Sequence, residues 1–180
     1  MNELAEEYAA LFLVSGGLPP YESVRLKGLL CQEPAIEVER FYERCGLILK
    51  DEWKKIFPDH LGLELEFMGY LCDREAEVED REDSIWSNYQ REFFEKHLGT
   101  WVFDYLKDLE RCTFHPFYRD IVTLTREFIE SEREYLESEG GDNYIHVSEK
   151  VVSGEITLQV HRREVTQWLK KRKGLVGKIF

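Results

Sequence analysis

The pair Asp59–His60 is the most suggestive polar feature of the sequence, because it places a carboxyl group beside an imidazole at the predicted start of a helix. Two interpretations are open. In the first, Asp59 is the N-cap and His60 is an ordinary first-turn residue, since aspartate is a favoured helix cap. In the second, the pair lies at the mouth of a groove, where a carboxylate can bind an arginine. Local sequence alone favours the first interpretation.

Motifs that accompany the common catalytic sites do not occur in the sequence. It has no HExxH, no GxGxxG, no GxxxxGK[ST] and no GxSxG. None of the five histidines follows a glutamate by three residues, which excludes the Glu-x-x-His pairs of di-iron bundles. The four cysteines form no CxxC pair, so they predict neither a zinc finger nor a thioredoxin-type centre. We therefore expect a protein that is not an enzyme.

The elements that must position Asp59 and His60 are predicted to be helices. Only 12 glycines and 5 prolines interrupt the 180 residues, which favours helix over a turn-rich sandwich or barrel. Apolar residues recur at intervals of three and four in six segments: Leu4, Tyr8, Leu11 and Phe12; Val38, Phe41, Tyr42 and Cys45; Leu63, Phe67, Met68 and Leu71; Ile85, Tyr89, Phe93 and His97; Trp101, Tyr105, Leu109 and Cys112; Phe117, Ile121, Leu124 and Phe128. Gly99 predicts a break between two of them. The sequence therefore predicts an all-α fold of six or seven helices, arranged as a helical bundle.

The chain after residue 138 differs in pattern. Gly140–Gly141 is a candidate boundary, and a short helix is predicted around Trp168. Apolar residues alternate with polar ones, as in a strand, at Ile156, Leu158 and Val160. We therefore predict a helical domain over residues 1–138 and a basic C-terminal extension over residues 139–180, with a strand followed by a helix.

The charge of the chain indicates the class of partner. The net charge is −12, which disfavours nucleic acid, because phosphate binding needs a basic surface. It favours a cationic partner such as a basic peptide. Residues 1–7 contain three glutamates and no Lys or Arg, and the longest apolar run, Ala9–Val14, is too short to span a bilayer. We therefore expect a cytoplasmic protein that is not inserted in a membrane.

The segment from Phe57 to Met68, with Pro-Asp-His-Leu near its start, resembles the TorD/DmsD/NarJ family of redox-enzyme maturation chaperones. Further segments that keep the family's order are Tyr8-x-x-Leu11-Phe12, Pro19 to Val24, Phe41-Tyr42 with Gly46-Leu47, Phe93 to Trp101, and Phe117-Tyr118. The resemblance covers residues 4–135. Phe57-Pro58 directly precedes Asp59, which is closer to the NarJ pattern than to the DmsD pattern.

The resemblance implies a TorD-like helical bundle and a cytoplasmic chaperone without catalytic activity. Such a chaperone binds the twin-arginine leader, or another N-terminal segment, of the catalytic subunit of a molybdenum oxidoreductase before export or assembly. It needs no cofactor of its own, and transient contact with the client's molybdenum cofactor is left open. So is the choice between a monomer and a domain-swapped dimer, for which the acidic stretch 73–83 would be the hinge. The client is not indicated.

Site residues follow from the same resemblance. It implies that Asp59 accepts an arginine of the leader and that His60 orients Asp59 or makes a second contact. Tyr21 and Glu22 match an aromatic-acid segment near the same groove. An apolar wall for the peptide is assigned to three residues, for each of which an ordinary core position is the favoured interpretation: Leu63, Phe67 and Trp101.

Three other hypotheses remain. The first is a small-molecule or metal-binding helical enzyme, in which Asp59 and His60 are acid–base groups or metal ligands. The second is a nucleic-acid contact by the basic residues 142–180, which the charge of the whole chain argues against. In the third, His161-Arg162-Arg163-Glu164-Val165, which loosely resembles a twin-arginine core, folds onto the acidic groove and competes with the client. A basic surface helix is favoured over that third hypothesis.

Overall fold

A computed structural model describes residues 3–13, 16–50, 56–78, 84–138, 144–151 and 154–161 of the chain. Its helices are α1 (Glu3–Tyr8), which runs into a π-helical turn (Ala9–Leu13), α2 (Glu22–Lys27), α3 (Glu33–Arg44), α4 (Leu61–Ala76), α5 (Ile85–Phe93), a second π-helical turn (Phe94–Leu98), α6 (Gly99–Cys112) and α7 (Pro116–Glu137). Two antiparallel strands follow, β1 (Tyr144–Val151) and β2 (Gly154–His161). The all-α prediction for the chain before residue 138 is confirmed.

The described residues fall into two compact units. The terminal unit combines the described residues within 1–18 and 103–161, and the central unit combines those within 19–102. The predicted division at residue 139 stays a prediction. Gly140–Gly141 and the helix predicted around Trp168 lie outside the described residues.

The central unit has an aromatic core built from three helices. Tyr42 of α3 and Phe93 of α5 both pack on Phe67 of α4, with ring centroids 4.6 Å and 4.7 Å from that of Phe67. Phe41 lies edge-on to Phe93 at 5.1 Å. All four rings are buried, and full burial of such a side chain stabilises the fold by about 1.5–3 kcal/mol. The stripes predicted for α3 and α4 are therefore confirmed as core.

Helix α7 of the terminal unit buries a different face from the predicted one. Its buried residues are Val122, Ile129, Glu132 and Leu136. Three residues of the predicted stripe are exposed: Phe117 by 49%, Ile121 by 46% and Leu124 by 49%. The prediction was wrong because α7 carries two apolar stripes, and packing in the folded chain, which periodicity does not encode, decides between them.

The predicted break at Gly99 does not occur. The π-helical turn Phe94–Leu98 joins α5 to α6 without a loop. A Cβ atom on Gly99 would lie 2.7 Å from the Phe94 carbonyl oxygen and 2.8 Å from its ring. Glycine is therefore needed for close approach of the backbone to Phe94, and not as a helix stop.

The strand predicted around Leu158 is confirmed as β2. It pairs with β1 in a register that runs from Tyr144 opposite His161 to Val151 opposite Gly154. Among the described residues, no helix combines the length and apolar character that crossing a membrane requires.

Candidate functional site

The N-cap of α4 is His60, and not Asp59 as the sequence predicted. The backbone of His60 is extended, and its Nδ1 accepts a hydrogen bond from the Gly62 N–H at 3.0 Å. Burial lowers the pKa of His60, and the nearby charge of Asp59 opposes part of this effect. A neutral imidazole can accept a hydrogen bond and an imidazolium cannot, so the lowered pKa agrees with the cap.

Asp59 instead caps the N-terminus of α2. Its Oδ2 accepts a hydrogen bond from the Ser23 N–H at 2.7 Å, and its backbone carbonyl accepts one from the Glu22 N–H at 3.0 Å. Tyr21, the residue that precedes α2, makes no side-chain cap of its own. Asp59 therefore caps a helix 36 residues earlier in the chain. The side chain has no exposed surface, so in this conformation an arginine cannot reach the predicted acceptor.

Tyr21 and His60 lie side by side at the surface of this junction. They form an isolated antiparallel β-bridge, and their ring centroids are 5.0 Å apart with an interplanar angle of 77°. The ring of Phe57 is 6.1 Å from that of Tyr21. Tyr21 and His60 are each half-buried, so part of each residue remains accessible to solvent.

Beneath this pair, Glu22 points into the protein. Its side chain is 2% exposed, and its Oε2 lies 3.2 Å from Nδ1 of His97 in the second π-helical turn. A carboxylate is an acceptor only, so Nδ1 of His97 carries the hydrogen of this bond. Each buried polar group thereby satisfies the other, which avoids the cost of an unpaired group in the interior.

Glu64 of α4 completes a buried acidic cluster with Glu22 and Asp59. Its Oε2 accepts a hydrogen bond from Nε1 of Trp101 at 3.1 Å. Burial raises the pKa of Glu64 well above its usual range, and the nearby charge of Glu22 raises it further. A hydrogen bond with Glu22 also raises the pKa of Glu64, so the site favours the neutral form of this carboxyl group. Trp101, Glu64, Glu22 and His97 together form one buried polar cluster.

Tyr42 lies within the field of the same three acids. Its hydroxyl donates to the Pro58 carbonyl at 2.9 Å, which ties α3 to the residue before Asp59. Burial raises the pKa of Tyr42 well above its usual value. The charges of Glu64, Asp59 and Glu22 raise it further, in that order of size. The phenol therefore remains a neutral hydrogen-bond donor.

The structure brings together four of the predicted site residues, and it places the other three in the core. Asp59, His60, Tyr21 and Glu22 meet where α2 and α4 begin. The three residues predicted as an apolar wall are buried, with exposed fractions of 3%, 0% and 1%: Leu63, Phe67 and Trp101. Trp101 alone of these reaches the acidic cluster, through its indole nitrogen.

Sequence reasoning missed the partners of these residues. Ser23, Tyr42, Glu64 and His97 were not singled out for the site, although each contacts one of its acids or the segment before Asp59. The available signal was His97, a titratable residue on an otherwise apolar and aromatic helix face. Within the described parts of the chain, no three His, Cys, Asp or Glu side chains are placed to hold a metal ion together.

Comparison with known proteins identifies the family. The sequence profile of the family described as nitrate reductase delta subunit matches residues 1–106. The chaperone protein TorD of Vibrio atlanticus is 30% identical over 142 residues, which cover 76% of this chain and 66% of that protein. The selenate reductase assembly chaperone protein of Thauera selenatis is 34% identical over 112 residues, or 59% of this chain and 58% of that protein. The same figures hold for the chlorate reductase assembly chaperone protein of Ideonella dechloratans.

The chain spans less than two thirds of the length of these curated relatives, between 58% and 66%. No solved structure gives a significant match. The profile match over residues 1–106 nevertheless takes in α1 to the middle of α6, and with them the Asp59–His60 junction and the acidic cluster. The chain therefore belongs to the TorD/DmsD/NarJ family, whose profile carries the description nitrate reductase delta subunit.

Proposed function

We propose that this protein is an assembly chaperone that binds a cationic leader or other N-terminal segment of the catalytic subunit of a molybdenum-containing reductase. The relatives named as chaperones for selenate and chlorate reductases support a client of that class. Binding would take place in the cytoplasm before the client is exported or assembled. Any molybdenum cofactor would belong to the client.

The observation that carries the proposal is the junction where α2 and α4 begin. Asp59 bonds to Ser23, and Tyr21 bridges to His60, so two half-buried rings from segments far apart in the chain are held together. A guanidinium stacks favourably on an aromatic ring. The net charge of −12 would steer a cationic peptide toward the protein.

The buried acids have a different role in this proposal from the one that the resemblance implies. Asp59 and Glu22 lack exposed surface, so they act as positioning residues for Tyr21 and His60. Tyr21 and His60 make the direct contacts with the peptide. Leu63, Phe67 and Trp101 support the junction from the core.

The alternative of an enzyme that uses Asp59 and His60 receives less support from the geometry. Nδ1 of His60 and Oδ2 of Asp59 each accept a hydrogen bond from a backbone N–H, at 3.0 Å and 2.7 Å. Each of these atoms is therefore occupied by a structural bond that acid–base work would have to break. The names of the relatives describe chaperones, which favours binding over catalysis.

Calorimetric titration of the full chain with a synthetic twin-arginine leader peptide tests the proposal. Saturable binding that weakens when both arginines become glutamine is expected. His60→Asn is the informative variant, because asparagine can still cap α4 and only the ring is lost. Tyr21→Phe is its counterpart, since it keeps the ring. If His60→Asn binds the peptide more weakly and the affinity of Tyr21→Phe is close to that of wild type, the contact with the rings is supported. If the wild-type chain does not bind the peptide, the proposal is overturned.

A further inference from the structure

The terminal unit contains a cleft of about 420 Å³ that the Asp59–His60 junction does not include. It lies among α1, the segment Gly16–Leu18 and the residues that follow α6. The predicted arginine acceptor Asp59 has no exposed surface, so a cationic peptide needs exposed carboxylates elsewhere. This cleft supplies them.

Three glutamates of α1 line the cleft, and two of them are exposed to solvent. Glu3 and Glu6 are three residues apart, so their side chains lie on the same face of α1. Glu7 has a structural role, because its two carboxylate oxygens accept hydrogen bonds from the Phe114 and His115 N–H groups at 2.8 Å and 2.7 Å. Among the described residues, no lysine or arginine lines the cleft. The nearest basic contact is at the edge, where Nη2 of Arg119 donates to the Phe114 carbonyl at 3.4 Å, so the described lining itself offers a cation only carboxylates as charged groups.

The rest of the cleft is apolar. Leu11 and Leu18 contribute to its walls, and Phe114 is 79% exposed at its edge. An aromatic ring so exposed gains from burial by a partner, at roughly 25 cal/mol for each Å² removed from water. The acidic and apolar parts together match a peptide in which basic residues stand next to apolar ones.

The walls are held in place before any ligand arrives. The Leu18 N–H donates to the Leu11 carbonyl at 2.7 Å, and the Leu18 carbonyl accepts from the Tyr105 hydroxyl at 3.1 Å. The Tyr118 hydroxyl donates to the Leu4 carbonyl at 3.0 Å, which fixes α1. A preformed cleft lowers the ordering cost of binding.

An exposed apolar stripe begins three residues after Phe114. It is the face of α7 that periodicity predicted to be buried, with Phe117, Ile121 and Leu124. Phe114, at the edge of the cleft, is the lining residue nearest to this stripe along the chain. This order complements a segment whose cationic residues are followed by an apolar run, and charge and apolar surface together select it over a purely basic or purely apolar peptide.

We propose that this cleft receives the cationic part of the client segment, with its basic side chains at Glu3 and Glu6 and its apolar residues on Phe114 and the exposed stripe of α7. The inference rests on the proposed chaperone function for the identity of the ligand. It assigns the charge recognition to the terminal unit and leaves the ring contacts of Tyr21 and His60 as a separate proposal.

Cysteine footprinting of the full chain with the synthetic twin-arginine peptide tests the location. Cys112 lines the cleft and is exposed, whereas Cys31, which is also exposed, belongs to the central unit and serves as an internal control. The rate of alkylation at each cysteine is read by mass spectrometry with and without saturating peptide. We expect the peptide to slow modification of Cys112 several-fold and to leave that of Cys31 unchanged.

A pair of variants tests the charge contribution. Glu3→Gln with Glu6→Gln should weaken peptide binding roughly tenfold, as expected for the loss of two solvent-exposed ion pairs. Glu37→Gln with Glu43→Gln removes the same charge from exposed positions of α3 and should leave the affinity near that of wild type. Equal thermal stability of the variants is checked in parallel.

The possible failures are distinguishable. If the wild-type chain binds the peptide, but Cys112 is not protected and the two double variants bind alike, the cleft is not the site and the chaperone function stands. If the wild-type chain does not bind the peptide, both proposals are overturned.

Discussion

Oε2 of Glu22 lies 3.2 Å from Nδ1 of His97, a residue 75 positions later in the chain, and both side chains are buried. This bond joins the first residue of α2 to the π-helical turn between α5 and α6. Glu22 also interacts with Glu64, which accepts from Trp101, so Glu22 belongs to a buried polar cluster that extends from Trp101 to His97. The junction at the surface and the core of the central unit are thereby parts of one polar network.

The first prediction concerns the removal of Glu22. Glu22→Ala leaves His97 buried without its acceptor, and we expect a loss of about 1–3 kcal/mol in the free energy of unfolding. Glu22→Gln keeps an acceptor and should lose less. Urea unfolding followed by circular dichroism measures both. Glu37→Ala, an exposed change on α3, should stay within about 0.5 kcal/mol of wild type, and a similar loss in all three variants would contradict the role of the bond.

The second prediction concerns the pH dependence of stability. Because burial raises the pKa of Glu64 above its ordinary value of 4.5, the unfolded chain loses this proton at lower pH than the folded chain does. The folded state therefore loses stability as the pH rises from the ordinary value through the folded pKa. Glu64→Gln keeps a neutral side chain that can still accept from Trp101.

We expect Glu64→Gln to gain stability relative to wild type as the pH rises from about 5 to about 8. The measurement is the free energy of unfolding of both proteins across that range. A constant difference between the two proteins at every pH would show that Glu64 does not titrate between the folded and unfolded states.

The third prediction has the opposite sign and concerns His60. Burial lowers its pKa below the ordinary value of 6.5, so the folded state favours the neutral ring that caps α4. Its contribution to stability is present above the ordinary value and is lost as the pH falls through the folded pKa. His60→Asn has a cap that does not titrate, so its stability relative to wild type should rise as the pH falls. Thermal unfolding between about pH 7 and about pH 5 measures the difference, and parallel curves would rule out the cap as the cause.

The helices were predictable because local periodicity encodes them. Val38 and Phe41, or Leu63 and Phe67, recur at the spacing of one helix face, and all four are buried. Helix α2 was not predicted, because its six residues are too few to show a period. On α7, two faces carry apolar residues, and the choice of Val122 and Ile129 over Phe117 and Ile121 depends on the neighbours of the helix.

The candidate site was predictable only in part, for a similar reason. Asp59 and His60 were singled out from the residues themselves, Tyr21 and Glu22 through family resemblance, and the structure places all four at one junction. The contacts of Asp59 could not be predicted, because its partner is 36 residues away and no local pattern records such a bond. A buried acid and an exposed acid look the same in a sequence. Only the folded structure shows that Asp59 is buried and not at the surface.

The fourth prediction tests whether Asp59 acts through Ser23. Asp59→Asn keeps an oxygen that can accept from the Ser23 N–H, whereas Asp59→Ala leaves this buried donor unpaired. We expect Asp59→Ala to lose about 1–3 kcal/mol of unfolding free energy and Asp59→Asn to lose less. Hydrogen exchange at the Ser23 amide, followed by NMR, should accelerate in Asp59→Ala while exchange at the amides of α3 and α4 stays close to that of wild type. Uniform acceleration across the central unit would indicate a global loss of stability instead.

The last prediction contrasts two helical glycines of the central unit. A Cβ atom at Gly99 would lie 2.7 Å from the Phe94 carbonyl oxygen, whereas one at Gly69 meets nothing within 4 Å. Gly99→Ala must therefore displace backbone in the π-helical turn, and we expect it to destabilise the fold by about 1–3 kcal/mol. Gly69→Ala should stabilise α4 by up to about 1 kcal/mol, because alanine is the better helix former. Urea unfolding of the two variants beside wild type measures the contrast, and equal stabilities would mean that the turn does not need the close approach at Gly99.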